Sequence, residues 1–282
     1  MGKEKAGIGS KNQLGYLDLN TKSWHHIILT ICGYLAMTLI LLLIVNIALV
    51  VYIANGMDLS YFINGVNSGT YDPEAALLYQ KLSTIGQVIS QIIVVGIVAV
   101  LFRKYFGSFI RQIKQKKTWI WFSVCLVAMY ILDFSLSQIL DALDIKSSST
   151  NQDVVVSIVS DSTILGFLLI VIAGPLFEEV IFRLGVYRIF TNKGKKMEVV
   201  GLIITTLLFA LIHMEVTFAT VFSDMSNPNW AALWGDMLVL PLYISAGFGV
   251  TFSYYKSKNF MTPVLLHVTW NLIQFIIIYA YI

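Results

Sequence analysis

The sequence predicts an all-α fold: a polytopic bundle of about seven transmembrane helices with a cytoplasmic N-terminus. Three observations carry that reading. Of the 282 residues, 57% are apolar and only 12% charged, with mean hydropathy +0.77, whereas soluble domains run near 45–50% and about 25%. Seven stretches approach the roughly 20 apolar residues a helix needs to cross a hydrocarbon core about 30 Å thick. Joined as alternating crossings, they leave 17 of the 19 basic residues on one side, as the positive-inside rule requires.

The stretches are Ile27–Ala54, Leu82–Phe102, Trp119–Leu140, Ile164–Phe182, Val199–Met214, Leu233–Tyr255 and Phe260–Ile282. The first is far longer than the 7–15 residues of a signal-peptide core, so it reads as an anchor. Lys3, Lys5, Lys11 and Lys22 precede it, and Arg103, Lys104, Arg111, Lys114, Lys116 and Lys117 follow the second stretch. Arg183, Arg188, Lys193, Lys195 and Lys196 follow the fourth, and Lys256 and Lys258 the sixth. Opposite them lie Asp58, Asp72, Glu74, Asp141, Asp144, Asp153, Asp161 and Asp224, with only Lys81 and Lys146. Residues 1–24 then form a cytoplasmic segment and residues 25–282 a single integral domain. The net charge of +3 is modest. Basic runs such as "RQIKQKK" also suit an anionic leaflet. Cys32 and Cys125 both fall inside apolar runs and predict no disulfide.

Charge at hydrocarbon depth costs on the order of 2.5–3.5 kcal/mol per side chain, so it normally faces a partner or a cavity. The candidates are Asp133, Glu178, Glu179, Arg183, His213 and His267, while Asp236 falls near an interface. In "GPLFEEVIFRLGVYR", Glu179 and Arg183 are four apart and share a helix face. Glu178 points about 100° away, toward another surface. Two adjacent carboxylates in a poorly hydrated site raise each other's pKa, which poises one as a base. Pro175 has no N–H to donate and Gly174 permits close packing, so a bend is expected beside Glu178.

"LLFALIHMEV" places Phe209 and His213 on one face, and "LLHVTWNLIQ" does the same for His267 and Asn271. Gln87, Gln91 and Gln138 read as helix-to-helix glue, worth about 0.6 kcal/mol each. Asp133 could pair with Arg183 or line a cavity. At 1.5 Å per residue, His213 lies roughly 20–24 Å into its span, deeper than Glu178 (roughly 18 Å before Phe190) and His267 (roughly 10 Å in). The set therefore meets only if the fifth span begins late, tilts or continues past Glu215.

Two chemistries remain open for such a set. Glu178 and a histidine could activate water while the other histidine and Asn271 stabilise an oxyanion. Alternatively Glu178, His213 and His267 could bind zinc, whose bound water supplies the nucleophile. Both are hydrolytic, and a peptide bond suits them best. No serine nucleophile elbow, HExxH or glycine-rich phosphate loop is present, and nothing favours nucleic acid as a partner.

"EEVIFR", "FALIH" and "HVTWN", in this order on three apolar helices, resemble the CPBP family, which comprises the CAAX prenyl endopeptidases and the bacteriocin-processing or Abi proteins. Its pattern is EExxxR, then FxxxH, then a histidine four before an asparagine. The resemblance spans about 133–282 and leaves out the first two spans. It implies an intramembrane endopeptidase of the cell membrane in which Glu178 and His213 activate water. It further implies that His267 and Asn271 form the oxyanion site, and that Glu179 and Arg183 hold the electrostatics. It implies no metal cofactor, and as partners a peptide or membrane-protein substrate and membrane lipid. Leu184 stands where members often have glycine. Compact size and short loops look more like a bacterial member, with roles among bacteriocin self-immunity, peptide maturation and surface or signalling control. A non-proteolytic membrane scaffold or immunity partner is the alternative. A proton-relay transporter through Asp133 and Glu178 lacks the matched interrupted helices such folds show.

Overall fold

A computed structural model describes residue 16 and residues 22–54, 73–145, 149–191, 193–221 and 228–282. Most of the segment expected to be cytoplasmic, with Lys3, Lys5 and Lys11, lies outside the described residues, as do Asp58, Asp72, Lys146 and Asp224. All regular structure among the described residues is helical.

Ten helices follow in order: α1 (Ser23–Ala54), α2 (Pro73–Leu101), α3 (Phe106–Ile113), α4 (Lys116–Ala142), α5 (Thr150–Asp161), α6 (Thr163–Thr191), α7 (Lys195–Ile212), α8 (Glu215–Val221), α9 (Trp230–Ser257) and α10 (Met261–Tyr281). Six of these are long and apolar enough to cross a membrane: α1, α2, α4, α6, α9 and α10. The expected fifth span falls short, because α7 carries Lys195, Lys196 and Glu198 in its first turn. The outward faces are apolar, with Leu39, Leu43, Val100, Leu101 and Phe134 all at least 60% exposed. That is the surface of a protein whose solvent is hydrocarbon, not water. The protein is a multi-pass membrane protein.

Helix α6 is the hub. Its Val180–Tyr187 segment is buried at every residue, packed by α1 on one side and α7 on the other. Gly185 allows this approach, since a Cβ there would sit 2.3 Å from Thr30 Oγ1 on α1. Leu184 is buried in the same seam, and its carbonyl meets His26 Nδ1 at 2.5 Å. Helix α10 packs against the first half of α6, and α9 against α4 and α7.

The bend expected at Gly174–Pro175 takes a specific form. Helix α6 is π-helical over Phe167–Ala173 and again over Val180–Tyr187, with ordinary α-helix over Gly174–Glu179 between them. Widened turns of this kind are rare and concentrate at functional sites.

One smaller expectation changes. Among the described residues Gln87, Gln91 and Gln138 make no cross-helix hydrogen bond, and Gln91 Oε1 is buried without a partner. Gln80 takes that role, donating to Ser157 Oγ at 2.9 Å. Asp236 is buried within the protein, accepting from the Thr150 amide (3.0 Å) and from the Thr217 hydroxyl. It thereby ties α5 and α8 to α9.

Candidate active site

The site is built where the α-helical middle of α6 faces α10. Glu179 and Arg183 are one helical turn apart and both fully buried, with Nη1 2.9 Å from Oε1. The guanidinium N–H groups do not aim at that oxygen, so none of its three nitrogens makes an aligned hydrogen bond. Charge proximity holds the pair, and the Phe209 ring adds to it from 5.0 Å.

His267 Nδ1 lies 2.8 Å from Glu179 Oε1. A carboxylate only accepts, so Nδ1 carries the proton and donates, and Nε2 is left with its lone pair. That nitrogen sits 3.8 Å from Glu178 Oε2. Glu178 Oε2 is itself buried with no hydrogen-bond partner, as is Glu179 Oε2. Arg183, Glu179, His267 and Glu178 thus form one chain of polar groups, ending on a carboxylate oxygen with unused acceptor capacity. The Glu178 side chain remains 21% exposed, the most accessible member of the chain.

Asn271, one turn after His267, donates from Nδ2 to the Ile170 carbonyl at 2.9 Å. The reason lies in the π-turn. The Gly174 amide donates to Leu169 rather than Ile170, and residue 175, next in line, is a proline with no N–H. Asn271 supplies the missing donor and keeps a second amide N–H.

His213 is placed differently from expectation. Helix α7 begins at Lys195 and stops at Ile212, so it neither starts late nor continues past Glu215. His213 sits in the turn before α8, with Nδ1 2.8 Å from the Phe209 carbonyl. Neither of its ring nitrogens lies within 4.0 Å of a carboxylate oxygen of Glu178 or Glu179. The Phe209 ring lies between the histidines, 4.8 Å from His213 and 5.5 Å from His267 between centroids. Glu178 and His213 form no ion pair, and the Phe209 ring packs against both histidines. Asp133 does not pair with Arg183, which Glu179 occupies.

Tyr34, Glu215 and Tyr243 were not legible as site neighbours. Tyr34 on α1 donates to Glu215 Oε2 at 3.1 Å, with its ring 6.4 Å from that of Phe177. Tyr243 stacks on His213 at 4.8 Å and 29°. None belongs to a motif, and only the packing of α1 and α9 brings them in. Among the described residues no three His, Cys, Asp or Glu side chains are grouped to hold a metal ion. Glu178, His213 and His267 do not converge as ligands, so no step is routed through zinc.

Fold and site together define a multi-pass helical membrane protein with a carboxylate–histidine centre buried among its helices. Residues 160–273 match the family described as Type II CAAX prenyl endopeptidase Rce1-like. That stretch, which contains Glu178, Glu179, Arg183, His213, His267 and Asn271, is similar to the CAAX-protease type of the CPBP family. No curated protein and no solved structure matches the chain.

Proposed function

We propose that the protein is an intramembrane endopeptidase of the cell membrane that hydrolyses a peptide bond of a membrane-associated substrate, with Glu178 as the base. The observation that carries this is the unpartnered, buried Glu178 Oε2 beside His267 Nε2 at 3.8 Å. A water about 2.8 Å from each acceptor closes a triangle on that separation and can donate one proton to each. Glu178 takes the proton as the water oxygen attacks the scissile carbonyl carbon, and the C–N bond then breaks as the proton passes to the leaving nitrogen. Glu179 fixes the His267 tautomer, and Arg183 balances Glu179. The second amide N–H of Asn271 is the donor for the oxyanion, and His267 Nε2 holds the water in place. His213 is a further proton acceptor, since donating Nδ1–H to Phe209 leaves its Nε2 with a lone pair.

The test compares membranes from a deletion strain that carry wild type, Glu178→Gln or His213→Gln at matched abundance, reading membrane-peptide fragments by mass spectrometry. Glu178→Gln is expected to lower cleavage by roughly 10²–10⁴-fold and His213→Gln by less, with thermal stability unchanged. Full rescue by Glu178→Gln would transfer the function to binding, the scaffold or immunity role.

A further inference from the structure

A second feature lies beside the site, where Leu176 and Val180 of α6 face α2, α3 and α10. An open-sided cavity of about 220 Å³ lies between α2, α3, α6 and α10, lined by Val98, Phe106, Ile110, Leu176, Val180 and Val264 among others, all apolar. It exceeds the roughly 150 Å³ of an apolar cavity that stays dry and takes up a small hydrocarbon. Left empty, it would forfeit the dispersion contacts of its whole lining. Phe106 and Ile110, on the rim, are 51% and 54% exposed, so the space communicates with the surroundings of α3.

The rim has a consistent charge. From Arg103 to Lys117 the chain carries six cations and no acid, and among the described residues none of the six meets a carboxylate within 4.0 Å. Helix α3 presents Phe106, Phe109, Ile110 and Ile113 to the cavity while Arg111 turns outward, with its Nη2 on Ser108 Oγ at 2.8 Å. Trp119 follows, donating to the Ile113 carbonyl at 2.8 Å, a side chain typical of the headgroup level. The helix is also tethered, because Asn259 donates to the Gln112 carbonyl at 3.0 Å and Thr118 does so at 2.6 Å. The cavity is therefore part of the fold and not a gap left by a detached helix.

We infer that this cavity holds one acyl chain of an anionic phospholipid, whose phosphate lies on the Arg103–Lys117 cations at the cytoplasmic face. An apolar slot explains the chain, and an unpaired, acid-free basic rim explains the headgroup sign. Leu176 and Val180 line the slot from the turns that carry Glu178 and Glu179, so its occupant also buttresses the site. The inference does not depend on what Glu178 catalyses.

The test uses the full chain, purified in mild detergent and reconstituted in nanodiscs of phosphatidylcholine with or without phosphatidylglycerol, reading retained lipid by native mass spectrometry and unfolding temperature. Wild type is expected to retain phosphatidylglycerol about tenfold or more over phosphatidylcholine and to unfold several degrees higher with it. The R111Q/K114Q/K116Q/K117Q variant should lose the headgroup preference. Ala99→Phe, which fills the slot from α2, should lose retention while unfolding in detergent alone no lower than wild type. Equal retention of both lipids overturns the inference, as does stabilisation by chain-free glycerol phosphate. So does full retention by Ala99→Phe, or displacement of the lipid by a lipid-free apolar peptide.

Discussion

Two clusters of buried charge lie along α6, and they are finished to different degrees. At the end of the helix Tyr187 meets Tyr16 Oη at 2.8 Å, Tyr16 donates to Glu198, and Glu198 pairs with Lys258, whose ammonium also sits 4.5 Å over the Tyr16 ring. No buried polar atom of Tyr16, Tyr187, Glu198 or Lys258 is left over among the described residues. Two turns back, Glu178, Glu179 and Arg183 leave five polar atoms buried and unpartnered. Burying a polar group unpaired costs about 1–3 kcal/mol, so native structures seldom retain such groups without a use. The completed cluster is a lock that joins the N-terminal segment to α6, α7 and the α9–α10 turn. The incomplete one leaves two carboxylate oxygens and three guanidinium nitrogens without a hydrogen-bond partner.

The largest effect on stability should come from Arg183→Leu. It leaves the Glu179 carboxylate fully buried with only a histidine, at a cost of about 3–5 kcal/mol in detergent unfolding. A loss below about 1 kcal/mol would mean that His267 alone carries the Glu179 charge. Glu198→Gln breaks the lock and should cost about 1–3 kcal/mol while leaving cleavage intact. If it abolished cleavage as Glu178→Gln does, the division between lock and site would fail.

Asn271→Ala should be milder, about 0.6 kcal/mol, because a single hydrogen bond to Ile170 is lost. Pro175→Ala restores an N–H at residue 175. In that background Asn271→Ala should cost nothing, and equal costs in both backgrounds would show that Asn271 does not serve the π-turn.

The smallest effect concerns pH. Burial raises the Tyr16 hydroxyl above its ordinary value of about 10, with the neighbouring Tyr187 and Glu198 adding to it. Its folded-state pKa is the higher one, so the lock is fully present below pH 10 and is lost as pH rises above that. Unfolding temperature should fall above about pH 10, and Tyr16→Phe should flatten that fall. An unchanged alkaline limb would assign it to other groups. Burial also lowers the Lys258 ammonium; alone, that would make stability rise with pH as Lys258 deprotonates, the opposite of the Tyr16 limb.

The helical class, the apolar spans and the Glu179–Arg183 pair were legible because each depends on neighbours within one or two turns. A four-residue spacing is enough to place two charges on one face. The bend at Gly174–Pro175 was legible as a defect, though not as a π-turn, since the Asn271 donor that completes it comes from 101 residues away. His267 on Glu179 spans 88 residues and Tyr16 on Tyr187 spans 171. No local pattern encodes such pairings. Arg183 lies against Glu179 as its spacing implies, while the histidine whose ring nitrogen comes within 4.0 Å of Glu178 is His267, which the sequence did not single out for that place. His213 and His267 carry the same signature, one polar ring on an apolar face, and helix depth alone separates them.

By itself, then, the sequence determined that this chain lives in a membrane, which residues carry charge there, and that Glu178 and Glu179 face different ways. Those follow from hydropathy, charge cost and the pitch of a helix, all local quantities. Tertiary structure decided which histidine stands beside Glu178, that Asn271 serves a backbone carbonyl, and that α3 roofs an apolar slot. These depend on how far one helix slides along another, which packing sets and periodicity does not record.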